Sequence, residues 1–157
     1  MAQLTMTKAT PSQARELRTW TAGRHYLHSV PPGYKFILEF TAAGKRQGTM
    51  IFGIPANRTL DRESTLQLHR MIFIDTAPHN TESHALSMAR KFIRTHHPQV
   101  RLLITYCDPT QQHYGTVFIA DGWAPFGATK AHHGYGWKHS RQPQAEIPPK
   151  TRWLRTP

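Results

Sequence analysis

Apolar positions in the 157-residue chain come in short blocks, and the spacing within each block points to an element type. Thr10-Pro11 reads as an N-cap followed by proline at the first helical position, opening a helix that runs to about Ala22. Residues 23–34 are polar and aromatic, with Pro31, Pro32 and Gly33, and read as a loop. Two runs, Lys35–Phe40 and Gly48–Ile54, predict strands joined as a hairpin, with Gly44 supplying the permissive backbone. Leu66–Asp75 (LQLHRMIFID) alternates and then turns continuously apolar, as a central strand does. Asn80 is placed to cap a helix over 81–97, with Ala85, Met88, Ala89, Phe92 and Ile93 as its apolar stripe. Arg90, Lys91 and Arg94 fall on its outer side, and Pro98 stops it. Val100–Cys107 predicts another buried strand. A short helix over Gln112–Asp121 and a strand pair, Trp123–Phe126 with Gly134–Lys138, complete the pattern. This order predicts a mixed α/β sheet with helices on its faces, in one domain over 1–138. No internal repeat is visible.

Residues 139–157 differ in composition. Pro143, Pro148, Pro149 and Pro157 predict a basic, extended C-terminal arm. Charge follows the same division. The chain carries 20 Lys and Arg against 9 Asp and Glu, a net +11. Residues 25–127 hold ten basic and seven acidic groups, whereas the last thirty hold six basic groups against Glu146 alone. Tyr135, Trp137 and Trp153 interleave with the C-terminal cations. Cations that meet phosphates beside aromatic faces that stack on bases predict nucleic acid as a partner. A solvated tail wrapping the domain is the other reading of the same residues. No apolar run approaches the roughly 20 residues that span a bilayer. The first residues are too polar for a secretory signal, so a soluble cytoplasmic protein without membrane contact is expected.

Several chemistries are absent from the motif pattern. One cysteine, Cys107, permits neither a disulfide framework nor a CxxC zinc site, and its place on an apolar strand suits a core residue. Eleven His include the adjacent pairs His96-His97 and His132-His133, and adjacent side chains point apart rather than chelate. HExxH, GxxxxGK[ST] and GxGxxG are all missing. Two residues stand out instead. Asp108 follows a buried strand at the edge where open α/β sheets place functional groups, although Pro109 after it allows a plain turn cap. Arg70 interrupts an apolar strand and requires an acid or an anionic ligand. Asp108 on a neighbouring strand is the expected partner, in a functional pair or a purely structural one.

The run LHRMIFID…HNTESHALSMARKFIRTHHP…LLITYCDPTQQHYGTVFIADGWAPFGAT, preceded by HYLHS, resembles the Mom family of phage DNA-modification proteins, within the GNAT acyltransferase-like superfamily. The resemblance covers about residues 20–130. It implies a GNAT-like, mostly antiparallel central sheet with helices on both faces. It also implies carbamoylmethylation of the adenine exocyclic amine in double-stranded or locally opened DNA, which hides a phage genome from restriction enzymes in the host cytoplasm. By the same resemblance, Arg70, Ser83 and Asp108 are the catalytic candidates, and His25, Tyr26 and Asp108 are a candidate iron-binding set. Phe118 stands where the family commonly has a tyrosine. The stretch Thr76–Ser83 lacks the glycine-containing turn with which an ordinary GNAT enzyme cradles the coenzyme A pyrophosphate, and Pro78 removes one N–H.

These observations set the expected division of labour. Asp108 acts as general base, Arg70 holds Asp108 or meets charge on the donor, and Asn80, Thr81 and Ser83 receive the donor's anionic part. The donor is acetyl-CoA or another activated acyl group such as an aminoacyl-tRNA. Tyr26, Tyr34, Tyr106 and Trp123 are candidates to stack on the target base, and Lys130, Lys138 and Arg141 to hold phosphates. Aminoacyl transfer to a hydroxymethylated pyrimidine in phage DNA is the closest alternative. A non-catalytic basic nucleic-acid-binding protein is the alternative from a different class.

Overall fold

In the computed structural model, residues 2–111, 114–130, 132–133 and 146–157 are described. The elements are β1 (Leu4–Lys8), α1 (Pro11–Arg24), β2 (Tyr34–Ala42), β3 (Lys45–Gly53), β4 (Thr65–Phe73), α2 (Thr81–His96) and β5 (Leu102–Cys107). A single 3-10 turn (Pro109–Gln111) follows, then α3 (Thr116–Ala120), β6 (Ala124–Ala128), β7 (His132–His133), β8 (Glu146–Ile147) and β9 (Thr151–Arg155). Seven strands form one sheet in the order β1-β2-β3-β4-β5-β9-β6, while β7 and β8 pair separately. Every neighbouring pair of the large sheet is antiparallel except β4 and β5.

Local chemistry explains the elements that were readable. Gln13 N–H donates to the Thr10 hydroxyl at 3.4 Å and Thr10 N–H donates to Gln13 Oε1 at 3.0 Å, a reciprocal cap that starts α1 ahead of Pro11. The β2–β3 hairpin turns through Ala43 and Gly44, both at positive φ (50° and 73°), where glycine carries no steric penalty. Helices cover both faces. Ala14 and Leu17 of α1 pack on Ile37 and Ile51, and the apolar face of α2 packs against the opposite alternation of β2 and β3, including Leu38 and Phe40.

One strand is added and three expectations are corrected. LTMTK forms β1, because Leu4 and Met6 turn inward on the edge of β2. Residues 151–155 are not part of an extended arm but an internal strand, with Trp153 4% exposed and Arg155, Leu154, Trp153, Arg152 and Thr151 paired to Leu103–Cys107. Pro148 and Pro149 lie just ahead of the ladder, where a missing N–H costs nothing. β6 pairs with β9, and its expected partner Gly134–Lys138 lies outside the described residues. The helix expected over Gln112–Asp121 reduces to the 3-10 turn and α3, with Gly115 at φ 79° in tight contact with the Trp153 ring. Finally, Arg90 does not face solvent freely. Its guanidinium forms a two-pronged pair with the buried Asp121 carboxylate, both bonds 2.8 Å, and Trp123 Nε1 donates to the same carboxylate at 2.9 Å. No helix among the described residues is long and apolar enough to cross a membrane.

Candidate active site

The one parallel pair of the sheet builds the site. β4 and β5 are paired only over Thr65–Gln67 with Leu102–Ile104. Beyond that register the strands part, and a cleft of about 500 Å³ opens between them. A bulge helps to shape it. Ile51 of β3 faces Arg70 and Phe52 faces Leu68, so His69 is an extra residue in β4 that re-aims the side chains around it. His69 Nε2 bonds the Ile54 carbonyl at 2.8 Å, and burial holds this imidazole below its ordinary pKa.

Arg70 and Asp108 sit on the two sides of the fork and both line the cleft. No ion pair joins them. Arg70 donates to the Ser29 carbonyl (Nε, 2.8 Å) and to the His69 carbonyl (2.7 Å), with a longer contact to Ser29 Oγ at 3.4 Å. The expected acid partner is thus replaced by backbone carbonyls of the α1–β2 loop and of β4. Burial pulls the Arg70 pKa down, yet a guanidinium stays cationic. Asp108 is 5% exposed. Its Oδ1 accepts from the N–H of Thr110 at 2.9 Å and from the Thr110 hydroxyl at 2.6 Å, a turn around Pro109. Both bonds arrive on one oxygen, and Asp108 lines the cleft.

The loop that Arg70 anchors supplies the third wall. His25 and Tyr26 line the cleft with stacked rings 4.6 Å apart. Burial, and then the negative charge of Asp108, raise the Tyr26 pKa above the ordinary phenol value, while Arg70 opposes them. These three groups are therefore electrostatic neighbours. Cys107 is buried beside Asp108, and burial pushes its thiol up to about 11, which makes it inert as a nucleophile at neutral pH.

The other sequence candidates separate clearly. Tyr106 lines the cleft. Tyr34 does not. It packs against α1 with the Arg18 guanidinium 5.2 Å from its ring centroid. Trp123 is 4% exposed and bound to Asp121, so it has no face for a base, and Trp153 is as deeply buried. Lys130 is exposed. Lys138 and Arg141 lie outside the described residues. Asn80, Thr81 and Ser83 gather at the start of α2, where Asn80 takes a left-handed conformation and makes no side-chain cap. The Thr81 hydroxyl donates to the Pro78 carbonyl and the Ser83 hydroxyl to the Asn80 carbonyl, at 2.6 and 3.1 Å. Glu82, rather than Ser83, lines the cleft. The N–H groups of Ala77, Thr81 and His84 are donated to local carbonyls, so this helix start offers an anion fewer donors than a glycine turn does.

His25, Tyr26 and Asp108 all line this cleft. Among the described residues, no group of three His, Cys, Asp or Glu gathers around a metal-sized space. Nδ1 of His25 accepts the Leu27 N–H at 3.2 Å. Sequence reasoning overlooked Ser29, Thr110, Tyr114 and Lys150. Only Thr110 had a readable signal, since Asp-Pro-Thr is a turn in which the acid side chain accepts the N–H two residues on.

Fold and cleft place the chain among proteins of GNAT acetyltransferase architecture. A GNAT-family acetyltransferase from Streptococcus pneumoniae superposes with a TM-score of 0.66 at 12% identity, over 98% of this chain and 99% of that one. The aminoglycoside acetyltransferase AAC(6')-Ib, in complex with coenzyme A and kanamycin, gives 0.68 at 8% identity over 98% and 95%. A GNAT phosphinothricin acetyltransferase from Sinorhizobium meliloti, in complex with AcCoA, gives 0.62 at 14% over 98% and 88%. No curated protein sequence matches the chain. Within that architecture the chain belongs to the Mom protein family, which matches residues 3–147.

Proposed function

We propose that this protein transfers a carbon group from an activated donor to the exocyclic amine of an adenine in DNA, with carbamoylmethylation and protection from restriction as the outcome implied by its family. The observation that carries this reading is the pair Arg70 and Asp108, held at the strand fork of one cleft by Ser29 and Thr110 and not neutralising each other. A carboxylate anchored through Oδ1 presents Oδ2 to an incoming amine. As the amine nitrogen attacks the donor's activated carbon, the new C–N bond forms and the bond to the leaving group breaks, its electron pair departing with that group. The amine proton passes to Asp108 Oδ2. Arg70 meets negative charge developing on the donor.

A base inside a duplex cannot reach this cleft, so the target nucleotide must leave the stack. Tyr26 and Tyr106 offer faces for it, and Tyr114, 67% exposed at the rim, offers a third. For a carbamoylmethyl product the activated carbon is the methylene of that group; an acyl donor such as a thioester, the kind suggested by the structural relatives that hold coenzyme A, or an aminoacyl-tRNA would instead leave an N-acyl adenine. The test is mass spectrometry of nucleosides from DNA co-expressed with the protein. A new modified adenine is expected. A modified pyrimidine would replace adenine as the acceptor, and unmodified nucleosides beside abundant folded protein would refute transfer to DNA.

A further inference from the structure

Outside the cleft, the strongest unexplained cluster lies on α1. Arg15, Arg18, Thr19 and Ala22 fall at helical spacing on one stripe and, with Val30 from the loop beyond, line a groove of about 280 Å³. Among the described residues, Arg15, Arg18 and Arg24 take part in no ion pair, whereas the nearby Arg46 is neutralised by Glu16 and Glu39 at 2.7 and 2.6 Å. The Arg18 guanidinium lies over the Tyr34 ring, and its Nε–H is buried without a partner. A buried donor left unpaired costs on the order of 1–3 kcal/mol, so the free protein holds a site that an anionic oxygen would stabilise. Arg24, nine residues on from Arg15, projects from the opposite side of the helix, stacked on Trp20 at 4.3 Å. From Arg15 to Arg18 the helix rises about 4.5 Å, room for each guanidinium to meet one of two successive phosphates of a DNA strand.

The groove and the cleft share one loop. His25, Tyr26 and Leu27 line the cleft, Ser29 anchors Arg70, and Val30 closes the groove. Val30 is three positions on from Leu27, a reach of at most about 10 Å. We infer that the α1 groove carrying Arg15 and Arg18 is the docking surface for the phosphate backbone of duplex DNA, seating it so that an extruded base enters the neighbouring cleft. This rests on the proposed function for the identity of the polyanion, but binding and transfer are measured separately. The contact is to phosphate alone and carries no sequence information. It also moves the DNA-holding role away from residues 151–155, whose backbone is committed to the sheet.

The experiment titrates a fluorescein-labelled 20-base-pair duplex with the full chain across a salt series and compares wild type with Arg15→Ala/Arg18→Ala. Each lost phosphate contact reduces the slope of log K against log salt by about 0.9, so the double variant loses about 1.8 and binds roughly 60-fold more weakly at 0.1 M salt. Lys91→Ala/Arg94→Ala, on the exposed side of α2, keeps the wild-type slope. Arg18→Lys preserves charge without the planar fork and falls between. An unchanged slope in the folded double variant overturns the inference, as does wild-type protein that binds duplex without salt dependence or not at all. If the slope falls as expected but no modified nucleoside is ever found, the surface stands and the transfer reading fails.

Discussion

Replacing Asp108 by Asn separates chemistry from structure in this cleft. The two hydrogen bonds to Asp108 both end on Oδ1, from Thr110 N–H at 2.9 Å and from the Thr110 hydroxyl at 2.6 Å. An asparagine oxygen accepts both, and those donors orient the amide so that its NH₂ takes the place of Oδ2. A hydrogen-bond donor then faces the amine where a base is required. Loss of a positioned general base lowers rates about 10²–10⁴-fold, or about 3–5 kcal/mol in the barrier. Exchanging a charged acceptor for a neutral one costs on the order of 1 kcal/mol, so the melting temperature should fall by no more than about 4 °C. The assay follows the initial rate of modified nucleoside accumulation beside a thermal melt of each variant. Wild-type accumulation in a folded Asp108→Asn protein would refute the general-base assignment. A drop in the melt far beyond that range, with activity lost alongside it, would show Asp108 to be structural. Thr110→Val supplies the graded control, because it removes only the hydroxyl donor and should cost about tenfold or less.

The remaining predictions concern stability and reactivity. Asp121→Ala strands the Arg90 guanidinium at 13% side-chain exposure and removes the Trp123 Nε1 acceptor; a loss of about 3–5 kcal/mol and a melt lower by on the order of 10 °C are expected in circular dichroism. Burial depresses the His69 pKa in the folded protein. As pH falls below about 6.5, the unfolded chain therefore takes up a proton that the folded chain refuses, and stability declines until the folded pKa is passed. His69→Gln, whose amide can still donate to the Ile54 carbonyl, should flatten that decline in denaturant titrations between pH 7 and 5. Cys107, with its thiol raised to about 11, should resist a thiol-directed disulfide reagent at pH 8 in the native protein and react at once in guanidinium. Rapid native labelling would contradict its burial.

Legibility of the fold followed the length of each periodic signal. The hairpin and α2 were readable because their residues alternate or recur over many positions. β1 and β9 were not, since five residues of mixed polarity become strands only through their neighbours, Ala42–Leu38 for one and Leu103–Cys107 for the other. Proline and arginine content made 139–157 resemble a tail, whereas the partly buried Arg152 and Arg155 flank a buried Trp153. Within the site, Arg70 and Asp108 were readable as anomalies of type and position. Their relation was not, because the point at which β4 and β5 part is a tertiary fact. Arg90 failed for a similar reason, its acid lying 31 residues away on another element.

The position of β9 between β5 and β6 has a kinetic side. Synthesis delivers β5 and β6 well before the strand that joins them, so one edge of β5, carrying Leu103 and Ile104, stays open in the growing chain. Among the described residues, the partner of β6 in the large sheet is β9. The last step of assembly is thus an insertion across a long sequence separation, slow by its entropy of closure. Until it happens, the strand that carries Asp108 at its end displays an apolar edge able to pair with another molecule. Overproduction of this protein should accordingly reward slow synthesis and low temperature, with inclusion-body yield depending on how long that gap remains open.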